Sequence, residues 1–376
     1  MMANLAHTIG KKLWCQGHDT LVALAAPRDA NEKSPHVYYG GARAGIAGGP
    51  QVKVGLLQQR FPEAHFGFNL VYLLSGALYL SPASMRRLND KRIPIIFNQN
   101  GVFFPAWYPH GWQAQNERLA RAMEASSHVF YQSAFCKRAA DKFLGLTPKS
   151  WKILHNAVDT DFFTPPSGPR FTPVCRPVRL LLTGKIGLST LTRLTSTIEG
   201  VAAARRSGAN VVLDIYGLIS PEAREKADAL IARLGAANAV AFKGSYTRAQ
   251  AADIYRATDI YILNTHNDAC PNTVLEAMAC GLPVLYSASG GVPELVGGDS
   301  SALVAGVGME IPESFEEQIT PSPAQFEKGL ENILVHYEAM AATARERATS
   351  RFSIDGWIKR HNEVFERLLK NYDQFE

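Results

Sequence analysis

Short apolar runs alternate with amphipathic stretches and with clusters of Gly and Pro along this chain. Apolar runs of roughly four to eight residues bounded by turn signals read as buried strands, and apolar residues three and four apart read as helices. In the second half, Arg179–Thr183 (RLLLT), Val211–Gly217 (VVLDIYG), Ala239–Gly244 (AVAFKG), Asp259–Asn264 (DIYILN) and Leu282–Tyr286 (LPVLY) are predicted strands. In the first half, Val37–Gly41 (VYYGG), Ile93–Gly101 (IPIIFNQNG), His128–Ser133 (HVFYQS) and Lys152–Val158 (KILHNAV) are predicted strands. Helices are predicted from near Gln51, over Ala134–Leu144, over Asn272–Cys280 behind a capping residue, and over the amphipathic Arg351–Leu369. Strands alternating with helices predict an α/β fold with parallel sheets covered by helices. The Pro-rich stretch Pro165–Pro177 reads as a linker. The expected domains are 1–165, 166–350 and a terminal helix, 351–376, packing back on the first domain.

The segment Asp259–Leu295 carries the most chemistry. It reads as strand, loop, helix, strand, with Asp268 in the loop and Glu276 inside the helix. Parallel sheets bind ligands beyond the carboxyl ends of their strands. The helix start, Pro271, Asn272 and Thr273, offers free amides and a partial positive charge to a phosphate. A carboxylate only accepts, and takes two hydroxyl donors at once. One acid then suits a sugar hydroxyl and the other a ribose diol, with a diphosphate between them. Taken singly, each acid is more often structural, Asp268 as a loop cap and Glu276 as a solvated helix residue. As an ordered set they point to a nucleotide-sugar site.

These residues resemble the family-four glycosyltransferases, retaining enzymes of the two-domain GT-B architecture. The resemblance rests on Asp268-x7-Glu276, on Glu276-Ala-Met-Ala-Cys-Gly-Leu-Pro-Val284 and on Gly290-Gly291-Val292-Pro293-Glu294. It implies two Rossmann-like domains with parallel sheets facing a central crevice. It also implies a hexosyltransferase-like enzyme that moves a sugar from a nucleoside-diphosphate sugar to a hydroxyl acceptor with retention, as in polysaccharide biosynthesis, with neither metal nor cofactor. Asp268 stands where the family usually has Glu, one methylene longer. Gly184 and Lys185 match the family's phosphate-binding pair. The second basic residue expected nearby has Arg193 as its nearest candidate. Asn156 and Asp159 match an interdomain turn and are expected to bond nearby backbone. Lys243-Gly244 ends a strand, either beside the nucleotide or as a plain turn.

In the first domain, Gly48 and Gly49 of the loop Gly40–Pro50 match the glycine pair that faces the donor phosphate. Asn100 stands where many members have His; it can bond a sugar hydroxyl but cannot transfer a proton. The aromatic segment after it offers Trp107, His110 and Trp112 as an acceptor lining or as ordinary packing. Ser133, at a strand end, is an acceptor-side candidate. No residue stands out as a nucleophile. A non-catalytic transferase-fold subunit remains a second reading, and a phosphorylase or nucleotide-sugar epimerase a third, though no pyridoxal lysine context is visible.

Composition adds limits. Hydrophobic residues make up 46% and charged residues 19% of the 376, ordinary for a globular α/β protein. The net charge of +5 comes without a tight basic run, which argues against nucleic acid and is compatible with an anionic membrane surface. The five cysteines show no metal or disulfide spacing. No sustained apolar segment reads as a signal peptide or a spanning helix. The expected location is cytoplasmic, with peripheral contact at the inner membrane face where lipid-linked acceptors lie. Base, sugar and acceptor are not readable.

Overall fold

The computed structural model describes residues 34–45, 49–168, 176–298 and 304–370, with Val22 and Ala25 besides. Gly48 lies outside the described residues, as do Cys15, Cys175 and the middle of the Pro-rich linker. The chain divides into two compact units.

The first unit holds a parallel five-stranded sheet in sequence order: β1 (Val37–Tyr38), β2 (Leu70–Leu74), β3 (Ile95–Gln99), β4 (His128–Tyr131) and β5 (Trp151–Ile153). Strands β1 to β4 are buried along their whole length, as continuous apolar runs in a helix-covered parallel sheet must be. Between them run α1 (Gly49–Arg60), α2 (Pro82–Asp90), α3 (Trp112–Glu124) and α4 (Ala134–Leu144). The apolar stretch around Phe66–Leu80 is β2 and a short turn of 3-10 helix.

The second unit holds a parallel six-stranded sheet. Its strands are β6 (Val178–Thr183), β7 (Val211–Tyr216), β8 (Val240–Gly244), β9 (Ile260–Leu263), β10 (Val284–Ser287) and β11 (Gly306–Met309), in the order β11-β10-β9-β6-β7-β8. Its helices are α5 (Leu191–Arg206), α6 (Pro221–Leu234), α7 (Arg248–Arg256), α8 (Asn272–Ala279), α9 (Val292–Val296), α10 (Pro323–Val335) and α11 (Tyr337–Arg351). Alternate residues of β6 serve opposite faces. Leu180 and Leu182 join the core with Ile198 of α5, Leu230 of α6 and Phe326 of α10. Leu181 joins the other with Tyr255 of α7, Leu275 of α8 and Ala344 of α11.

The last helix, α12 (Ile354–Lys370), clusters with the first unit. The helix expected from Arg351 starts instead at Ile354, because Arg351 ends α11 and Phe352–Ser353 separates the two, with Ser353 bridging Val158. Trp357, His361, Val364, Phe365, Leu368 and Leu369 are buried within the protein. The ring of Phe365 lies 4.9 Å from that of Phe61. The apolar face of α12 is therefore covered by protein, and the rival reading of a membrane-surface helix does not hold. The chain passes to the second unit at Asn156 rather than near 165, and Phe104–Pro109 also belongs to that unit. The expected strand Lys152–Val158 is cut short at Ile153 because Asn156 is held elsewhere. Its Nδ2 donates to Cys270 O at 2.9 Å and to Asn272 Oδ1 at 2.8 Å, so it anchors a distant loop rather than its own turn. Asp159 does fix the turn, accepting from Phe162 N at 3.0 Å.

Candidate functional site

In the second sheet the strand order reverses between β6 and β9: later strands continue on one side, β7 and β8 on the other. At such a switch point the loops leaving the carboxyl ends diverge and open a crevice for a ligand. Gly184 leaves β6 there with φ +141. A Cβ at Gly184 would lie 2.5 Å from an Arg193 guanidinium nitrogen, so only glycine allows the arginine to fold over the strand end. Arg193, in the first turn of α5, donates from Nη2 to Thr183 O, and its Nε is buried without a partner. Lys185 is exposed on the next position.

Asp268 leaves β9 on the other side of the switch point. Its loop is tightly folded. Asp268 Oδ1 accepts from Cys270 N at 3.2 Å, and its carbonyl accepts from Gly291 N at 2.8 Å. Gly290 (φ +67) packs against the Asp268 backbone so closely that a side chain there would collide with it. Burial raises the Asp268 carboxyl above the usual range, and the charge of Arg193 is the first influence opposing that rise. Arg193 and Asp268 therefore act on one another across the crevice.

Glu276 sits on α8, half-buried, and accepts from Tyr255 Oη at 2.9 Å. Burial pushes its carboxyl up to about 7, against the Tyr255 hydrogen bond and the charge of Arg248. The α8 start has Pro271 as its cap residue with no side-chain cap. The expected capping side chain, Asn272, is spent on Asn156 instead. The amides at Asn272 and Thr273 thus receive no side-chain cap, which leaves a helix terminus suited to an anion.

Around these groups lie the phenols of Tyr246, Tyr255 and Tyr261, which no sequence motif marks. The hydroxyls of Tyr261 and Thr183 are 3.0 Å apart. Tyr246 is pushed up to about 12 by burial and then by the Glu276 charge. Arg248 faces Glu276 and also pairs with Asp159 at 3.6 Å. Alternation in a strand hides a tyrosine whose ring is core and whose hydroxyl reaches a site. Lys243 is 3.2 Å from Asp214, an ion pair at the β7–β8 edge.

The segment Phe104–Pro109 belongs to this unit. Ala106 N donates to Phe315 O at 2.9 Å, and Gln318 Nε2 donates to Ala106 O at 3.0 Å. Phe104 packs edge-on to Phe315, while Trp107 stays 48% exposed. The remaining expected residues lie in the first unit. Gly49 opens α1, and His110 is exposed ahead of α3. Trp112 packs on Phe143. Ser133 is fully buried and caps α4 by accepting from Cys136 N at 3.1 Å. Asn100 follows β3 at the carboxyl edge of that sheet. Among the described residues no group of three His, Cys, Asp or Glu is arranged to hold a metal, and no helix is long and apolar enough to cross a membrane.

The glycosyl transferases group 1 family model matches residues 193–320, a span that starts at Arg193 and includes Asp268 and Glu276. A D-inositol 3-phosphate glycosyltransferase of Streptomyces bingchenggensis is 37% identical over 91 residues, 24% of this chain and 19% of that relative. The protein of the same description from Mycolicibacterium smegmatis is 30% identical over 170 residues, 41% of this chain and 36% of that relative. These matches thus span well under half of the relatives' own lengths. The crystal structure of Anabaena HepE in complex with UDP has a TM-score of 0.61 at 17% identity, covering 84% of this chain and 81% of that one. Sucrose-phosphate synthase from Thermosynechococcus elongatus has a TM-score of 0.62 at 16% identity, covering 81% of this chain and 75% of that one. Residues 193–320 are thus similar to the glycosyl transferases group 1 family, and the chain has the two-sheet α/β fold of these solved structures.

Proposed function

We propose that this protein is a glycosyltransferase that moves a sugar from a nucleoside-diphosphate sugar to a hydroxyl acceptor, with retention at the anomeric carbon. The observation that carries the reading is the meeting of Arg193, Asp268 and the uncapped start of α8 at the switch point of the second sheet, with Glu276 on the same helix. Charge develops on the leaving diphosphate in the transition state, and fixed donors aimed at it lower the barrier. Arg193, Lys185 and the α8 amides supply those donors, in this reading in place of a metal. Glu276 takes the ribose diol, and Asp268 orients the donor sugar. UDP in the Anabaena structure supports a nucleoside diphosphate as the leaving group. A saccharide or lipid-linked acceptor, met in the cytoplasm or at the inner membrane face, completes the proposal.

The test is the melting temperature of wild type and Glu276→Ala against UDP, GDP, ADP and dTDP. A ligand at a hundred times its dissociation constant adds about 2.7 kcal/mol, a shift of several degrees. Glu276→Ala is expected to remove about 2–3 kcal/mol of donor binding, the worth of hydrogen bonds to a charged group. Stabilisation of wild type by one nucleotide and not of the variant supports the reading. No stabilisation by any of the four turns it toward a scaffold subunit.

A further inference from the structure

One turn of the second unit touches three separate parts of the chain around the candidate site. Residues 314–318 follow β11, and the Ser314 hydroxyl folds them by accepting from Glu316 N at 3.2 Å and Glu317 N at 3.3 Å. The first contact is with the Asp268 loop. Ser314 O accepts from His266 Nε2 at 2.8 Å and from Asn267 Nδ2 at 2.7 Å. Asn267, next to Asp268, has a left-handed backbone (φ +55), and its N–H is held by Ser289 Oγ at 3.0 Å. The turn therefore helps to hold the uncommon conformation that presents Asp268.

The second contact is with the segment Phe104–Pro109. Phe315 buries its ring against Phe104, with centroids 5.1 Å apart, and its carbonyl accepts from Ala106 N at 2.9 Å. The third is made by Gln318. Its Nε2 donates to Ala106 O at 3.0 Å and to Ser189 O at 2.9 Å, while its Oε1 accepts from Thr192 Oγ1 at 2.8 Å. The two carbonyls only accept, so the orientation of the amide is fixed. Ser189 and Thr192 lie between Lys185 and Arg193. A single side chain thus ties the loop of the phosphate-side cations to the aromatic segment.

This tie has two ends. Movement of residues 189–193 is carried to Ala106 through one nitrogen. Trp107 and Tyr108, 48% and 36% exposed, follow directly in the chain. We infer that Gln318 is a positioning residue that couples residues 185–193 to the segment Phe104–Pro109, so that a diphosphate bound at the switch point stiffens the surface carrying Trp107 and Tyr108. Coupling of this kind is reciprocal, and a ligand packed on Trp107 tightens the diphosphate by the same factor. The inference rests on the proposed glycosyl transfer for the diphosphate, and on the Gln318 hydrogen bonds alone for the coupling.

The test is hydrogen exchange on the full chain, with and without UDP, GDP or ADP, in wild type, Gln318→Ala, Gln318→Glu and Gln318→Lys. In wild type a bound diphosphate is expected to slow exchange at Ala106, Trp107 and Tyr108 as well as at the start of α8. In Gln318→Ala it is expected to protect the start of α8 alone, with affinity about fivefold weaker, the low end of coupling between sites. Gln318→Glu keeps the Thr192 contact but turns an acceptor toward both carbonyls, so it should behave as Gln318→Ala does. Gln318→Lys can donate to both carbonyls and should restore protection of the aromatic segment. A diphosphate that protects α8 but not residues 104–109 in wild type overturns the coupling. Protection of residues 104–109 in Gln318→Ala equal to that in wild type overturns the role of Gln318. If wild type binds none of the diphosphates, the glycosyl-transfer reading falls, and exchange without ligand decides the rest. Faster exchange in Gln318→Ala at both 104–109 and 189–193, with β7 unchanged, supports the tie; a change confined to one of the two overturns it.

Discussion

At the scale of single residues, the site is governed by what burial does to charge. Glu276 is lifted from 4.5 to about 7 chiefly by desolvation. The folded state therefore holds a proton that the unfolded chain has already released between those values, so this group lowers stability as pH rises from about 4.5 to 7. Glu276→Gln removes the effect. The variant is expected to melt higher than wild type at pH 8 and alike at pH 4, a comparison that one calorimetric series makes. An ionised carboxylate is the form that accepts two ribose hydroxyls, so nucleotide affinity of wild type is expected to rise from pH 6 to pH 8. A flat profile would remove Glu276 from the ribose. Arg193 makes a different prediction. Arg193→Ala removes the cation facing Asp268, and should weaken a nucleoside diphosphate by about 2 kcal/mol while leaving its nucleoside nearly unaffected. Titration calorimetry with both ligands separates phosphate recognition from a general loss of shape.

At the scale of elements, short sequence signals set the starts of helices. Ser81, Ser220 and Ser322 each precede a Pro at the first helical turn, and each accepts from an amide three residues on, at 3.2, 3.2 and 3.3 Å. Ser322→Ala is expected to cost about 1 kcal/mol, read from the denaturation midpoint. Packing between helices offers a sharper case. Gly200 of α5 lies against the Phe326 ring of α10, and a Cβ there would overlap three ring and side-chain atoms. Gly200→Ala is expected to cost about 1–3 kcal/mol through overpacking; an unchanged midpoint would mean the two helices separate freely.

Much of this was legible in the chain. The strands β6, β7, β9 and β10 stand out as apolar runs, and α4 matches its predicted limits because Ser133 caps it and Gly145 closes it in a left-handed conformation. Asp268 and Glu276 are singled out by their spacing and order, since both belong to one contiguous segment. What escaped was whatever depends on distant parts of the chain. The recruitment of Asn272 by Asn156, the phenols around Glu276 and the burial of Lys53 all follow from contacts far apart in sequence. Lys53 looks like any helical lysine until the fold surrounds it.

At the scale of the whole molecule, the chain passes between its two units four times, after Phe103, Pro109, His155 and Ile354. The first unit is thus assembled from pieces separated by nearly the length of the second. Its core includes Tyr72, Phe130 and Phe61 from early in the chain together with His361 and Phe365 from α12. Truncation before residue 354 is expected to unfold the first unit selectively, because it strips the cover from those rings and leaves Tyr72 without His361. Hydrogen exchange on the truncated chain would show β2 and β3 exposed and β6 and β9 protected; equal protection in both sheets would refute the role of α12.

The return of α12 also has a meaning in time. A chain emerging from the ribosome presents the strands of its first sheet early, but the helix that covers Tyr72 and Phe130 arrives only after the second sheet has been made. Until then an apolar surface waits without its cover, open to chaperones and proteases while the second sheet is made. Completion of the first unit thus waits on the synthesis of α12, and a product terminated before that helix is left with an unfinished core.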